Sequence, residues 1–151
     1  MPMPSKTKKY AAWAALAFVL AIQFIRPERT NPPVDPAATF EAVAKPDPQL
    51  AAIVRRACRD CHSHDTKWPW YSLIAPVSWL VADDVEQGRA HLNFSRWNLL
   101  SPEMSKLRMK EACREVRSKG MPPWQYRLMH PEARLGDEDV AMFCDAVDRM
   151  P

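Results

Sequence analysis

Two cysteines and a histidine at a fixed spacing are the residues of this chain best suited to chemistry. Cys58, Cys61 and His62 form the pattern C-x-x-C-H inside the stretch RACRDCHSHDTKWPWYS. Thiols placed three positions apart lie on one helical turn, where they can reach the two vinyl groups of a haem while the adjacent imidazole faces the iron. The pattern therefore predicts covalent attachment of one haem, with His62 as an axial ligand of the iron.

Three other uses of the same residue types are open. A zinc site would need a fourth ligand from a second paired motif, and the remaining cysteines, Cys113 and Cys144, are isolated in the sequence. A thioredoxin-like redox pair belongs in a βαβ context, which the apolar pattern does not provide. A plain structural disulfide is the third use. Haem attachment is favoured over all three, and a structural zinc module is kept as the weakest functional alternative.

The second axial ligand decides the chemistry of such a haem. Met121 lies in SKGMPPWQY, where Gly120 is expected to end a helix and two prolines stiffen the chain, so that a thioether is presented on a rigid loop. His130, in LMHPEARL, is the alternative ligand. Ligation by His62 and Met121 would leave no open position and favour electron transfer over enzymatic chemistry. An open sixth position would instead indicate a haem enzyme or sensor acting on peroxide or a diatomic gas.

The elements that must position these residues are predicted to be helices. Three glycines stand against fifteen prolines, and long alternating runs of β-branched residues are absent. Apolar residues at helical spacing predict four helices, which begin after Asp47, near Pro76, after Ser101 and at Asp137. We therefore expect an all-α fold, a small cytochrome c-like bundle of about four helices around a covalently bound haem, over residues 47–151.

Several aromatic residues fall between the predicted helices rather than on their apolar faces. The candidates for the walls of a haem pocket, or for donors to its propionates, are Trp68, Trp70, Tyr71 and Trp124. A flat apolar cofactor would give these rings a surface to pack on and would enlarge a small core. The Nδ1–H of His62 is expected to donate to the carbonyl of Pro69 or Pro76, which would fix the ring.

The two remaining cysteines are predicted to point inward from separate helices. Cys113 shares a helical face with Val116, and Cys144 shares one with Val147. In an exported protein the two cysteines could form a disulfide, which would stabilise the fold by about 3.5 kcal/mol in the chain-entropy model. Two buried thiols are the alternative.

The N-terminus carries a basic cluster and then an apolar run, residues 10–25, that is interrupted only by Gln23. This pattern predicts a signal-anchor helix over residues 1–26 that crosses the lipid bilayer through residues 10–25. Bulky and charged residues follow the run, so cleavage is not expected. The positive-inside rule then places the domain in the periplasm, outside the inner membrane. Residues 27–46 hold five prolines and no helical stripe, which predicts a semi-rigid linker.

The distribution of charge argues against a nucleic-acid partner. The chain has a net charge of +3, and residues 1–29 alone contribute +4, so the remainder carries −1. A nearly neutral domain without a basic stripe is poorly suited to a phosphate backbone.

Two longer stretches resemble the bacterial haem-binding domain proteins, a small branch of the c-type cytochromes. They read CRDCHSHDTKWPWYSLIAPVSWLVADDVEQGRAHLNFSRW and GMPPWQYRLMHPEARLGDEDV, and together they cover most of residues 50–145. The resemblance implies haem c bound covalently by Cys58 and Cys61, His62 as the proximal ligand, and an N-terminal membrane segment. We therefore expect a membrane-anchored, periplasmic mono-haem cytochrome that exchanges electrons with membrane redox proteins.

Overall fold

The computed structural model describes residues 5–150, and all regular structure in that range is helical. Residues 1–4 of the predicted anchor and residue 151 of the predicted domain lie outside the described residues. The α-helices are α1 (Ser5–Ile22), α2 (Phe40–Ala44), α3 (Pro48–Ala57), α4 (Arg59–His62), α5 (Val77–His91), α6 (Pro102–Arg117), α7 (Trp124–Met129) and α8 (Asp137–Asp148). The all-α prediction is confirmed, with more and shorter helices than the four expected.

The chain divides into two compact units. The first holds the described residues up to Thr30 together with Trp68–Asp84, and the second holds Asn31–Lys67 and the described residues from Val85 onward. The second unit contains the C-x-x-C-H segment and all the residues from α6 to α8.

The long helices α3, α5, α6 and α8 correspond to the four that the sequence predicts. The side chain of Asp47 accepts a hydrogen bond from the backbone N–H of Gln49 at 2.8 Å, and that of Ser101 accepts one from Met104 at 3.2 Å. Each cap satisfies one of the backbone donors left open at a helix start. Local sequence signals are therefore enough to place these helices.

The core of the second unit forms where α8 packs against both α3 and α6. Its fully buried side chains include Leu50, Ile53, Val54, Met109, Phe143 and Val147. These residues recur three or four positions apart within each helix, which turns one face of each helix inward. A disulfide joins Cys113 of α6 to Cys144 of α8, with Cα atoms 5.3 Å apart.

The stretch predicted as a linker contributes directly to this core. Phe40, at the start of α2, is completely buried, and its ring meets Trp97 and Phe94 edge to face at centroid distances of 4.6 and 5.3 Å. Its backbone N–H also donates to the carbonyl of Phe94 at 2.8 Å. The prediction of a spacer over residues 27–46 thus missed that the second half of this stretch packs into the core. A five-residue helix with one aromatic anchor is too short to produce a periodic signal.

The end of α6 differs in detail from the prediction. The helix ends at Arg117 and not at Gly120, and Lys119 takes the left-handed conformation, with φ 63°. The backbone N–H groups of Gly120 and Met121 both donate to the carbonyl of Glu115, at 2.9 and 3.2 Å. The reversal before Met121 is therefore fixed by backbone hydrogen bonds to the last turn of α6.

Within residues 5–150, no helix is both long and apolar enough to cross a membrane. The helix that includes most of the predicted anchor, α1, ends at Ile22, so the last three residues of the apolar run, 23–25, follow its end.

Candidate functional site

The C-x-x-C-H segment forms one helical turn directly after α3. The backbone N–H of Cys58 donates to Val54 and that of His62 donates to Cys58, both at 3.0 Å, so the chain passes from α3 into α4 with little interruption. Cys58 and Cys61 both remain thiols and are half-buried. Two thiols and an imidazole therefore share one turn, as the spacing predicts.

The ring of His62 is held by the end of α5. Its Nδ1 lies 2.8 Å from the carbonyl oxygen of Gly88 and 3.0 Å from that of Leu92. Because carbonyl oxygens only accept, Nδ1 must carry the proton, and the lone pair of the neutral ring is on Nε2. Burial lowers the pKa of His62, although both carbonyl contacts act in the opposite direction. The neutral imidazole is therefore favoured.

The partners of His62 correct the sequence prediction of a proline carbonyl. The expected acceptors were Pro69 or Pro76, whereas the observed ones are Gly88 and Leu92. The Gly88 carbonyl accepts from the N–H of Leu92 at 3.0 Å as well as from His62, and Leu92 directly follows α5. The sequence placed α5 correctly without revealing which element its end contacts.

Gly88 permits an unusually close approach between α5 and the C-x-x-C-H turn. A Cβ atom added at this position would lie 2.5 Å from the carbonyl oxygen of Cys61 and 2.9 Å from its carbonyl carbon. These are backbone atoms and cannot rotate away, so only glycine fits without moving α5. An isolated glycine inside a predicted helix was the available signal for this contact.

Arg89 fixes the chain that leaves the motif. Its guanidinium donates to the carbonyl of Ser63 at 2.7 Å, to the hydroxyl of Thr66 at 3.0 Å and to the side-chain oxygen of Asn31 at 2.9 Å. The hydroxyl of Thr66 donates in turn to the carbonyl of Asp60 at 2.7 Å. Partial burial lowers the pKa of Arg89. One cation thus ties the loop after His62 back to α4, which sequence reasoning missed.

Helix α7 is joined to the motif through Tyr126. Its hydroxyl donates to Oδ2 of Asp60, one of the two residues between the cysteines, at 2.7 Å. Burial and the hydrogen bond to Asp60 raise the pKa of Tyr126, and the nearby Cys61 adds to the shift. The phenol is therefore a stable donor. This contact brings the MPPWQY segment to the C-x-x-C-H turn and was not foreseen from the sequence.

The outer surface of α7 is apolar and exposed. Trp124 and Leu128, four positions apart on one helical face, are 66% and 63% exposed, and Met121 in the preceding loop is 40% exposed. Among the buried side-chain nitrogen and oxygen atoms of the described residues, the Nε of Arg127 is the one without a hydrogen-bond partner. Large exposed apolar side chains beside a buried nitrogen that lacks a hydrogen-bond partner indicate a surface that a ligand covers.

The alternative ligand His130 is already engaged by its neighbours. Its ring stacks on Tyr126 at a centroid distance of 4.1 Å and an interplanar angle of 14°. Its Nδ1 also lies 3.1 Å from a carboxylate oxygen of Glu132. These contacts orient the ring and engage its Nδ1.

Three of the aromatic candidates lie in the first unit. Trp68 and Tyr71 are half-buried and Trp70 is exposed, and the rings of Trp70 and Tyr71 meet edge to face at 5.8 Å. Their roles as haem walls stay predictions. For the zinc alternative, the part of the chain from residue 5 to residue 150 shows no cluster of three or more His, Cys, Asp or Glu side chains suited to a metal ion.

Comparison with known families identifies the chain. The family model described as a haem-binding domain matches residues 17–148, which is most of the sequence. The chain belongs to the haem-binding domain family. No curated protein and no solved structure matches it. Membership confirms the predicted haem-binding family, and the matched range contains both the C-x-x-C-H turn and α7.

Proposed function

We propose that this member of the haem-binding domain family is an exported mono-haem c-type cytochrome that transfers electrons. Cys58 and Cys61 would hold the porphyrin through thioethers, His62 would bind the iron through Nε2, and Met121 would supply the second axial ligand. When bound, the haem supplies an iron atom that alternates between the ferrous and ferric states. The protein's own residues bind, orient and shield that group.

The observation that carries this proposal is the orientation of the His62 ring. Its Nδ1–H is used by the carbonyls of Gly88 and Leu92, which directs metal binding to Nε2. The lowered pKa keeps the ring neutral, the form that ligates a metal. A prepared imidazole on the same turn as two thiols is a donor set that suits haem c.

The state of the Cys58 thiol also supports attachment. Burial and the neighbouring Cys61 raise its pKa to about 12, although Arg56 acts in the opposite direction. The thiol is therefore protonated at neutral pH and is a poor nucleophile in disulfide exchange. A thiol that resists disulfide exchange stays reduced, and thioether formation requires a reduced thiol.

The surface of α7 suits both parts of a haem. The exposed rings and chains of Trp124 and Leu128 could cover an apolar porphyrin face. The unsatisfied Nε of Arg127 could donate to a propionate, because a charge-assisted hydrogen bond would remove the cost of leaving this buried donor unpaired.

Met121 is preferred to His130 as the second ligand. Met121 is partly exposed and lies on a reversal fixed by Glu115, whereas His130 is stacked on Tyr126 and engaged by Glu132. Ligation by His62 and Met121 would occupy both axial positions, which supports electron transfer. The exposure of Met121 favours one second candidate, a haem enzyme or sensor whose methionine is displaced by peroxide or a diatomic gas. Rapid uptake of CO by the ferrous protein would support that candidate.

The proposed location is the periplasmic side of the inner membrane, near membrane redox partners. The Cys113–Cys144 disulfide supports an oxidising compartment. Anchoring would use the apolar run of residues 10–25, and its test is fractionation of cells. Alkaline-washed membranes should retain the full chain and should lose a variant without residues 1–26.

Covalent attachment is tested by producing the chain together with a cytochrome maturation system. The denatured protein should carry the added mass of one haem and should stain for haem peroxidase activity on a gel. Cys58→Ser with Cys61→Ser should abolish both signals. The matched control, Cys113→Ser with Cys144→Ser, should keep them. Equal staining of the two double variants would contradict the proposal.

A further inference from the structure

A stretch of the first unit is uncharged over fifteen residues. Residues 68–82 read WPWYSLIAPVSWLVA and include the 3-10 helix Trp70–Leu73 and the first turns of α5. Five of their large apolar side chains are exposed to solvent, namely Trp70, Leu73, Ile74, Val77 and Leu80. We call these five the 70–80 surface. An exposed apolar surface of this kind marks a site of interaction.

The 70–80 surface is joined by hydrogen bonds to the end of the apolar N-terminal run. The side chain of Gln23 donates to the carbonyl of Ala75 at 3.1 Å and accepts from the N–H of the same residue at 3.0 Å. The indole N–H of Trp79 donates to the carbonyl of Ile25 at 2.8 Å. Gln23 is the polar interruption of that run, and its amide is satisfied by this segment. Hydrogen bonds therefore join the two apolar segments within the first unit.

We propose that the 70–80 surface lies in the interfacial layer of a lipid bilayer, beside the end of the residue 10–25 anchor. The proposal rests in part on the membrane anchoring proposed above. Trp70 combines an apolar ring with an indole N–H, and such side chains are enriched where hydrocarbon meets headgroups. The exposed Leu and Ile side chains supply the apolar contact.

Charges of both signs border the surface, since Glu28 lies between two arginines, and two aspartates, Asp83 and Asp84, follow residue 82. Arg26 and Arg29 directly follow the apolar run, and the guanidinium of Arg29 donates to the carbonyl of Ser72, within the segment that forms the surface. Cations at this level attract phosphate headgroups. Residues 68–82 themselves carry no charged side chain, which suits contact with the hydrocarbon side of this layer. The assignment places Trp70 against lipid instead of in the wall of a haem pocket.

The test compares two leucines of nearly identical exposure. Leu73 and Leu99 are 63% and 62% exposed, and each is the last residue of a short 3-10 helix, Leu73 in the first unit and Leu99 in the second. The variants Leu73→Cys, Leu99→Cys and Phe18→Cys are made in the full haem-loaded chain and labelled with a nitroxide. Mass spectrometry verifies one label per chain. The proteins are reconstituted in vesicles of phosphatidylethanolamine and phosphatidylglycerol.

Spin-label collision rates with oxygen, which concentrates in lipid, and with a water-soluble nickel chelate report the surroundings of each label. We expect the oxygen-to-nickel ratio at position 73 to be several-fold higher than at position 99. A label at position 73 that is open to nickel, or shielded from both reagents by protein, overturns the lipid assignment. The label at position 18 separates the two proposals. If it is in lipid while position 73 is in water, the anchoring proposal stands and the proposed lipid contact of the 70–80 surface is excluded. If position 18 alone is in water, the anchor fails.

Discussion

The regions around His62 and around α7 differ in how their functional side chains are held. His62 is fixed by two backbone carbonyls and by a helix approach so close that Gly88 leaves no room for a side chain. In the α7 region, Trp124 is mostly exposed, and a side-chain hydrogen bond from Tyr126 joins the helix to the motif. The first region is organised by the backbone, whereas on the proposed function the second would gain contacts when a haem covers its apolar face.

Replacement of Met121 should give the largest change, because on the proposed ligation it would remove a bond to the iron. In Met121→Ala we expect complete loss of the weak far-red absorption band typical of ferric methionine-ligated haem, a high-spin ferric spectrum and a lower reduction potential. The control is Met129→Ala, which truncates another exposed methionine of the same segment. A normal spectrum in Met121→Ala together with an altered one in His130→Ala would transfer the ligand role to His130.

Gly88→Ala tests whether the His62 region depends on the close backbone approach. Helix propensity alone would stabilise the variant by about 1 kcal/mol. Overpacking against the carbonyl of Cys61 should instead lower the free energy of unfolding by about 1–3 kcal/mol, measured by urea denaturation. Gly136→Ala is the control, because the nearest atom to its added Cβ is 4.0 Å away. Stabilisation of the Gly88 variant would show that α5 and the motif do not touch.

Tyr126→Phe tests the hydrogen bond that joins α7 to the C-x-x-C-H turn. Loss of the phenol leaves the half-buried carboxylate of Asp60 short of one donor, which should cost about 1–2 kcal/mol of unfolding free energy. The far-red band should also weaken, since α7 follows directly on the Met121 loop. Tyr10→Phe, at an exposed site, is the matched control. An unchanged spectrum and stability would mean that α7 is held in place without this bond.

The smallest expected effect concerns the link between Arg56, next to the motif, and Asp139 in α8. Partial desolvation acts to raise the pKa of Asp139, but the hydrogen bonds from Arg56 and from the Gly136 N–H, with the Arg56 charge, lower it overall. A carboxyl with a lowered pKa stabilises the fold at neutral pH and loses that contribution as the pH falls through its folded-state pKa. Because the pair is partly exposed, the loss below about pH 4 should be under about 1 kcal/mol. In Asp139→Asn the free energy of unfolding should lack this acid-dependent loss. If the free energy of unfolding falls equally steeply with pH in both proteins, the stabilising link between Arg56 and Asp139 is excluded.

The sequence predicts what is local and periodic in this fold. Capped amphipathic helices such as α3 and α6 can be recognised in the sequence from Asp47, Ser101 and regular apolar spacing. The C-x-x-C-H pattern likewise lies within one turn. In contrast, the contact of Tyr126 with Asp60 joins residues 66 positions apart, and no local pattern encodes such a pairing. Phe40 was missed for a related reason, because a single buried ring in a proline-rich stretch has no period.

The Cys113–Cys144 disulfide has a consequence for how the chain matures. One pair of the four cysteines is oxidised, and on the proposed function the other pair would have to stay reduced until it forms thioethers with the porphyrin vinyls. Once α6 and α8 close on each other, the oxidised sulfurs are sequestered in the interior, and the protonated thiol of Cys58 reacts with them slowly. The fold therefore separates the reactions of the two cysteine pairs. Molecules with incorrect disulfides should arise mainly from chains that are oxidised before they fold.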